Sequence, residues 1–269
     1  MITSYSNGSV REVIQLNQKA KARDKQDLFV AEGVKMFAEA PVDRIIRVYI
    51  ARRAEAQLRS TYGEKLDRLR VDIVADDVFD KMSDTKTPQG VLCLVRQFHY
   101  KIEEILAAPK NKTHALFMIL EDLQDPGNLG TVFRTGEGCG VSGIVMSSRT
   151  ADVYNPKVIR STMGSVYRVP FLYADDLCVA IRTLQKHNVS VYAAHLGGTK
   201  FYDECDYRGG TAFLIGNEGN GLRKETAQCA DDLIKIPMEG SVESLNAAVA
   251  SSILLYEAYR QRRNAVMLR

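Results

Sequence analysis

The sequence predicts an α/β protein of two domains, and three observations carry the prediction. Short apolar runs of strand length alternate with segments of helical periodicity along the whole chain of 269 residues. In the C-terminal part these runs, beginning with Ala115-Leu116-Phe117-Met118-Ile119-Leu120, are unbroken, as in strands buried on both faces of a parallel sheet. Between the two parts, from Gln97 to Thr113, the pattern lapses, and Ala107-Ala108-Pro109-Lys110-Asn111-Lys112 has a linker's composition. The expected division is a smaller α/β domain at 1–97, a linker at 98–112 and a parallel-sheet domain at 113–269.

Local chemistry justifies each element. From Ser9 to Lys21, Val10, Val13, Ile14 and Leu16 recur at helical spacing, and Phe29-Val30 opens an apolar segment ending at Glu32-Gly33. Val34 to Ala40 reads as a helix stopped by Pro41, which lacks a backbone donor. Ile45 to Ile50 is rich in β-branched and aromatic residues and reads as a strand, Glu55 to Tyr62 as a helix, and Val71-Asp72-Ile73-Val74 as another strand. Val78 to Met82 is a short helix, after which Thr87-Pro88-Gln89-Gly90 turns into the apolar run Val91 to Val95. Beyond the linker, runs at Gly143 to Met146, Val189 to Ala194, Thr211 to Ile215 and Leu233 to Ile236 alternate with helices expected at Leu129–Cys139, Asp175–His187, Leu222–Cys229 and Ser244–Arg262.

Composition narrows the function. With 45% hydrophobic and 26% charged residues this is the balance of a soluble globular chain. No apolar run approaches membrane-spanning length, and Met1 to Ser6 lacks the halves of a signal peptide, so we expect a cytoplasmic protein with no membrane partner. Five cysteines are scattered without paired metal spacing, which predicts reduced thiols and no metal site. Of the 36 Lys+Arg and 33 Asp+Glu, residues 1–112 hold 20 and 16, leaving 16 and 17 for the rest. Within that basic part Lys19, Lys21, Arg23 and Lys25 suit a phosphate-rich partner, although a solvated helix face produces the same run.

Chemistry concentrates at three corners where an apolar strand breaks into a polar turn. The first is Glu121-Asp122-Leu123-Gln124-Asp125-Pro126-Gly127-Asn128-Leu129-Gly130, entering a helix that carries Arg134. A guanidinium there matches phosphate oxygens, and an exposed Arg beside an Asn helix cap is the plainer reading. The second, Gly216-Asn217-Glu218-Gly219-Asn220-Gly221-Leu222, sets three glycines around one carboxylate. The third runs from Ile236-Pro237-Met238 through Glu239-Gly240-Ser241 to Ser244-Leu245-Asn246, where a helix start leaves backbone donors free. Since ligands gather beyond the C-terminal ends of parallel strands, Asn128, Arg134, Glu218 and Asn246 form a candidate site. Gly138-Cys139-Gly140-Val141-Ser142-Gly143 imitates a dinucleotide fingerprint, but a helix precedes it and a strand follows, which is the wrong order.

At these corners the sequence strongly resembles the SpoU (TrmH-type) branch of the SPOUT RNA methyltransferases. Asp125-Pro126-Gly127-Asn128-Leu129-Gly130 with Arg134-Thr135, Gly216 to Leu222, and Ile236-Pro237-Met238 with Gly240 and Ser244-Leu245-Asn246 stand as the family's three motifs, in order and spacing, over residues 116–262. The resemblance implies transfer of methyl from S-adenosylmethionine to a ribose 2′-hydroxyl, without metal, in a C-terminal domain tied in a deep trefoil knot. It places the donor against Leu196, Gly216, Ile236, Met238, Leu245 and Asn246, and Arg134 at the substrate ribose with Asn128, Glu218 and Asn246 around it. Lys157 and Arg160, within Asn155 to Gly164, look like a substrate-side loop that binds RNA. Residues 1–96, through Phe29, Glu32-Gly33 and Thr87-Pro88-Gln89-Gly90, are similar to the RNA-binding domain of the ribosomal-RNA members. That similarity favours 23S ribosomal RNA over transfer RNA as substrate. A homodimer through the C-terminal domain is also implied, with Leu245, Val249, Ile253 and Tyr256 as an apolar stripe that core packing would explain equally. Two rivals remain: a noncatalytic RNA-binding protein on the same fold, and a methyltransferase acting on a base. Ala247, where many members carry Val, is the one departure.

Overall fold

The computed structural model describes residues 1–107, 115–241 and 244–267, and the chain divides into two compact units. One comprises Met1–Phe98 with Asp152–Tyr167, the other His99–Ala151 with Arg168–Arg269. Of the expected linker 98–112, the part from 108 onward lies outside the described residues. The part before it ends in helix, Ile102–Ala107, where the sequence offered no periodicity.

The first unit folds around a mixed sheet of β1 (Leu28–Glu32), β2 (Ile45–Ala51), β3 (Val71–Val74) and β4 (Val91–Arg96), in the order β1-β4-β2-β3. β4 runs antiparallel to both neighbours, and β2 and β3 are parallel. The first helical run splits into α1 (Gly8–Gln18) and α2 (Ala20–Gln26), separated by Lys19 in extended conformation. Asn7 caps α1 by accepting from Ser9 N, and Val10, Val13 and Leu16 bury its apolar face against Val30, Tyr49 and Leu94 of the sheet. α3 (Val34–Glu39), α4 (Glu55–Leu66) and α5 (Asp76–Met82) complete the connections. Lys65 of α4 supplies the missing donors at the end of α3, its Nζ reaching the carbonyls of Phe37, Ala38 and Ala40 at 2.7–2.8 Å.

Asp152–Tyr167 packs in this unit although it follows the first strands of the other in sequence. The Arg23 guanidinium holds Asp152 Oδ2 at 2.5 and 2.9 Å. Tyr154 stacks on Phe29 with centroids 4.8 Å apart and donates its hydroxyl to Phe98 O, and Tyr167 donates to Met36 O. Pro156–Thr162, expected as a loop, is a helix capped by Asn155, with Pro at its first position where no backbone donor is needed.

The second unit is a seven-stranded sheet in which every pairing is parallel. Its strands are β5 (Leu116–Leu120), β6 (Gly143–Ser147), β7 (Phe171–Ala174), β8 (Val189–Ala194), β9 (Lys200–Phe201), β10 (Gly210–Ile215) and β11 (Asp232–Lys235). The order β7-β6-β5-β10-β8-β11-β9 puts two strands late in the chain, β10 and β11, between earlier ones. β5 and β6 are buried throughout, as their unbroken apolar sequences require. Phe117, Ile119, Val145 and Leu214 pack with Leu177, Ile181 and Leu184 of the helix Leu177–Lys186. The helices α7 (Pro126–Gly138) and α11 (Ala247–Met267) lie against each other, and α11 also contacts β10. Here we number Ile102–Ala107, Pro156–Thr162, Leu177–Lys186 and Lys224–Ala227 as α6, α8, α9 and α10.

One expectation is overturned. Cys178, at the start of α9, and Cys229, just after α10, form a disulfide with Cα atoms 5.8 Å apart, so the thiols are not all reduced. Spacing could not show this, because 51 residues separate the two in sequence and only the packing of α9 beside α10 brings them together.

Candidate active site at the carboxyl ends of the strands

The strand order reverses between β5 and β10: from β5 the chain builds outward through β6 and β7, whereas β10 borders β8 on its other side. Loops leaving such a pair diverge and open a crevice beyond the carboxyl ends. The first corner leaves β5 and the second leaves β10, so the sheet itself sets them side by side.

Hydrogen bonds then join all three corners. Glu218, exposed on the second, accepts from Gln124 N at 3.0 Å, Asp125 N at 2.9 Å and Asn128 Nδ2 at 3.0 Å, so one carboxylate clamps the turn of the first. Asn128 Oδ1 accepts from Asn246 Nδ2 at 2.9 Å, which brings in the third. Asn246 Oδ1 in turn caps α11, accepting from Ala248 N and Val249 N at 2.9 and 3.2 Å. The direction of this chain is forced. An ionised carboxylate only accepts, so Asn128 must turn its amide nitrogen to Glu218 and its oxygen to Asn246, and Asn246 must keep its oxygen for the helix. Burial pushes the Glu218 pKa up, but the hydrogen bonds from Gln124 N, Asp125 N and Asn128 outweigh it and hold the carboxyl below its ordinary value.

Arg134 is not part of this cluster. It lies six residues beyond Asn128 on α7, about 9 Å of helix rise, is exposed, and has no hydrogen bond or ion pair among the described residues. That rise places it past the middle of the helix, away from the turn that Asn128 opens.

The apolar candidates lie just past three neighbouring strands. Gly216 directly follows β10 and Ile236 directly follows β11, while Leu196, two residues after β8, sits in a turn closed by Gly198 N donating to His195 O, and β8 lies between β10 and β11 in the sheet. Leu196 is 69% exposed and Met238 37%, so two large apolar side chains stand open to solvent beyond the strand ends. Gly216 could carry no side chain, since a Cβ would fall 2.3 Å from the carbonyl carbon of Gly221. Leu245, half-buried, adjoins Asn246.

The basic candidates lie in the first unit, and one of them must be corrected. Arg23 is only 3% exposed: besides Asp152 it reaches Leu16 O and Asn17 O through Nη1, so its charge serves the fold and is not offered to RNA. Lys19, Lys21 and Lys25 are exposed, as is Lys157, while Arg160 pairs with Asp84 at 2.9 Å. Residues that sequence reasoning passed over also shape the site. Asn217 Nδ2 donates to Asp122 O, and Ser147 Oγ bonds Asp122, holding that residue in left-handed conformation with φ of 53°. The signal available for them was a polar side chain directly after an apolar strand.

Free thiols offer no nucleophile. Burial pushes Cys93 up to about 12 and Cys139 up to about 11, far from thiolate formation at neutral pH. No group of His, Cys, Asp or Glu among the described residues is arranged to hold a metal ion.

Polar loops meeting at a switch point in a parallel sheet define an α/β enzyme that holds its ligand beyond the strand ends. The chain belongs to the SpoU rRNA Methylase family, whose model matches residues 115–256. A second model, the MRM3-like substrate binding domain, matches residues 7–93. Among curated relatives, the 23S rRNA (guanosine(2553)-2'-O)-methyltransferase RlmP of Bacillus subtilis is 30% identical, over 95% of this chain and 97% of its own. The 23S rRNA (guanosine-2'-O-)-methyltransferase RlmB of Bordetella pertussis is 32% identical, over 82% and 91%. Among solved structures, an AdoMet-bound rRNA methyltransferase from Sinorhizobium meliloti superposes with a TM-score of 0.83 at 32% identity, covering 96% of this chain and 97% of that one.

Proposed function

We propose that this protein transfers a methyl group from S-adenosylmethionine to a ribose 2′-hydroxyl of ribosomal RNA, in the 23S molecule. The observation that carries the reading is the chain Glu218–Asn128–Asn246, which locks three corners into one rim at the strand ends from which the exposed Leu196 and Met238 also project. The residues present fit the donor: Leu196, Ile236, Met238 and Leu245 offer apolar contacts, and Gly216 lets backbone approach closely. When bound, the donor supplies an activated methyl on a sulfonium.

What the chain must add is alignment and charge. Alignment of the hydroxyl with the donor can supply much of the barrier reduction. Arg134, with its guanidinium uncommitted among the described residues, holds a substrate phosphate and stabilises negative charge developing on the ribose oxygen. It does not serve as base, because a guanidinium stays protonated in proteins. Nor does Glu218 suit the role of base, since three hydrogen bonds lower its basicity, and we assign it to holding the Asp125-to-Asn128 turn. Lys19, Lys21, Lys25 and Lys157 contact RNA phosphates.

We place the protein in the cytoplasm with its substrate; no helix among the described residues is long and apolar enough to cross a membrane. The half-buried Cys178–Cys229 bridge would there meet a reducing pool. We also propose a homodimer through α11. Its inward face carries Ser251, Leu254, Leu255 and Ala258, while Val249 and Tyr256, 48% and 54% exposed, point outward with Tyr259. Light scattering at micromolar concentration is expected to give twice the mass of one chain, and a single-chain mass would refute it.

Incubation of total RNA with donor labelled in its methyl group, followed by separation by size and nuclease mapping, tests the activity. Label in the 2′-O-methyl of a large-subunit nucleotide is expected. Label confined to transfer RNA, label on a base, or donor binding with no transfer would each overturn the reading in favour of a different one.

A further inference from the structure

Glu121 directly follows β5 and is 1% exposed, a carboxylate sunk at the carboxyl edge of an apolar strand. Its backbone N donates to Ile215 O, the last residue of β10, at 2.8 Å. Its side chain accepts from Arg223 N at 2.7 Å, Arg223 Nε at 2.6 Å and Thr226 Oγ1 at 2.5 Å. Arg223 caps α10, and between it and β10 lies only the Gly216-to-Leu222 loop.

That loop is a closed ring. Asn217 and Gly221 exchange backbone hydrogen bonds at 3.1 and 2.9 Å, and Asn217 Oδ1 accepts from Gly219 N and Asn220 N. Internal bonds fix the ring's shape, and bonds from Asn217 to Asp122 O and from Gln124, Asp125 and Asn128 to Glu218 tie its middle to the first corner. Its entry is held by β10, and its exit into α10 is held by Glu121. A buried carboxylate costs desolvation that an apolar side chain would not, so its presence where β5 meets β10 calls for a reason beyond packing.

We propose that Glu121 is a positioning residue for the methyl donor, acting through Arg223 and Thr226 to seat the Gly216-to-Leu222 ring against the donor site. The role rests on the proposed function and adds a residue to it that does not touch substrate. Glu121→Gln turns one acceptor into a donor that faces Arg223 or Thr226, so the ring's exit is released while β5 keeps its shape. Loss of a hydrogen bond to a charged group predicts donor affinity about tenfold weaker. At saturating donor, kcat is expected to stay within about threefold of wild type, as for lost uniform binding. Amide hydrogen exchange in 216–222 should accelerate.

Arg223→Met provides an independent route, since it removes the Nε arm and leaves Glu121 bonded to the backbone N at position 223 and to Thr226; a smaller change of the same kind is expected. Titration calorimetry with S-adenosylmethionine, steady-state kinetics and exchange are read on wild type and both variants. Wild-type binding with unchanged donor affinity in both variants, or in Arg223→Met alone should Glu121→Gln not fold, would overturn the positioning role, whatever happens to the melting temperature. Wild-type protein that binds no donor would instead overturn the proposed function and this role with it.

Discussion

At Arg134 a single side chain separates catalysis from binding. It is exposed and makes no hydrogen bond to the Glu218–Asn128–Asn246 chain among the described residues. Arg134→Ala is therefore expected to leave donor affinity near wild type while single-turnover methyl transfer falls by about 10² or more, the scale of removing a preorganised donor to a transition state. Arg134→Lys should also fail substantially, because a point charge does not replace a planar fork. Glu218 makes a pH prediction. Its folded pKa lies below the ordinary carboxylate value of 4.5, so the stability it contributes is present above that value and is lost as pH falls through the folded one. The difference in melting temperature between wild type and Glu218→Gln should hold steady from neutral pH down to about 4.5, the ordinary carboxylate value, and narrow only below it, as pH falls through the folded value. A difference that does not narrow on further acidification would remove the charge from the argument. At Arg23 the two readings of the basic run come apart. Lys19, Lys21 and Lys25 changed together to Ala should weaken RNA binding and flatten its salt dependence, whereas Arg23→Ala should act on folding, with a loss below the roughly 3–5 kcal/mol of a broken buried pair because Asp152 is partly exposed. Filter binding against salt and thermal melts distinguish them.

Among the elements, those with strong composition were legible. The strands at Val71–Val74 and Val189–Ala194 fall where β-branched apolar runs put them, and α11 and α7 were expected within a few residues of their bounds. β7 and β9 escaped because they are short edge strands of four and two residues that expose much of their surface, leaving no unbroken apolar run to read. α8 escaped although Asn155 and Pro156 are start signals, since seven residues are too few to show a period. α10, expected from Leu222 to Cys229, is only Lys224–Ala227 because Leu222 and Arg223 belong to the ring and its clamp. The disulfide tethers this small element to α9. Closing a loop of about 50 residues is worth up to about 4 kcal/mol in the chain-entropy model. Cys178→Ser with Cys229→Ser is expected to lower the melting temperature measurably, and a reducing agent should do the same to wild type but nothing further to the double variant.

Across the whole molecule, sequence order and packing order part company at Asp152–Tyr167. A chain read left to right assigns that stretch to the parallel-sheet domain, yet Arg23, Phe29 and Phe98 gather it into the first unit. The same holds inside the second unit, where β10 enters between β5 and β8, and β11 between β8 and β9. Apolar periodicity reports how deeply a strand is buried but carries no record of its neighbours, since every fully buried parallel strand looks alike.

The chain's own residues determined that there would be a parallel sheet, that three polar corners would end its strands, and which family their motifs belong to. Those are local properties, written in turn chemistry, burial and spacing. Only the tertiary structure decided that Glu218, Asn128 and Asn246 form one hydrogen-bonded chain, that Arg134 stands outside it, that Arg23 is an ion-pair anchor, and that Cys178 meets Cys229. Each depends on contacts between residues tens of positions or more apart, 118 between Asn246 and Asn128, which strand order and helix packing settle and no local pattern encodes.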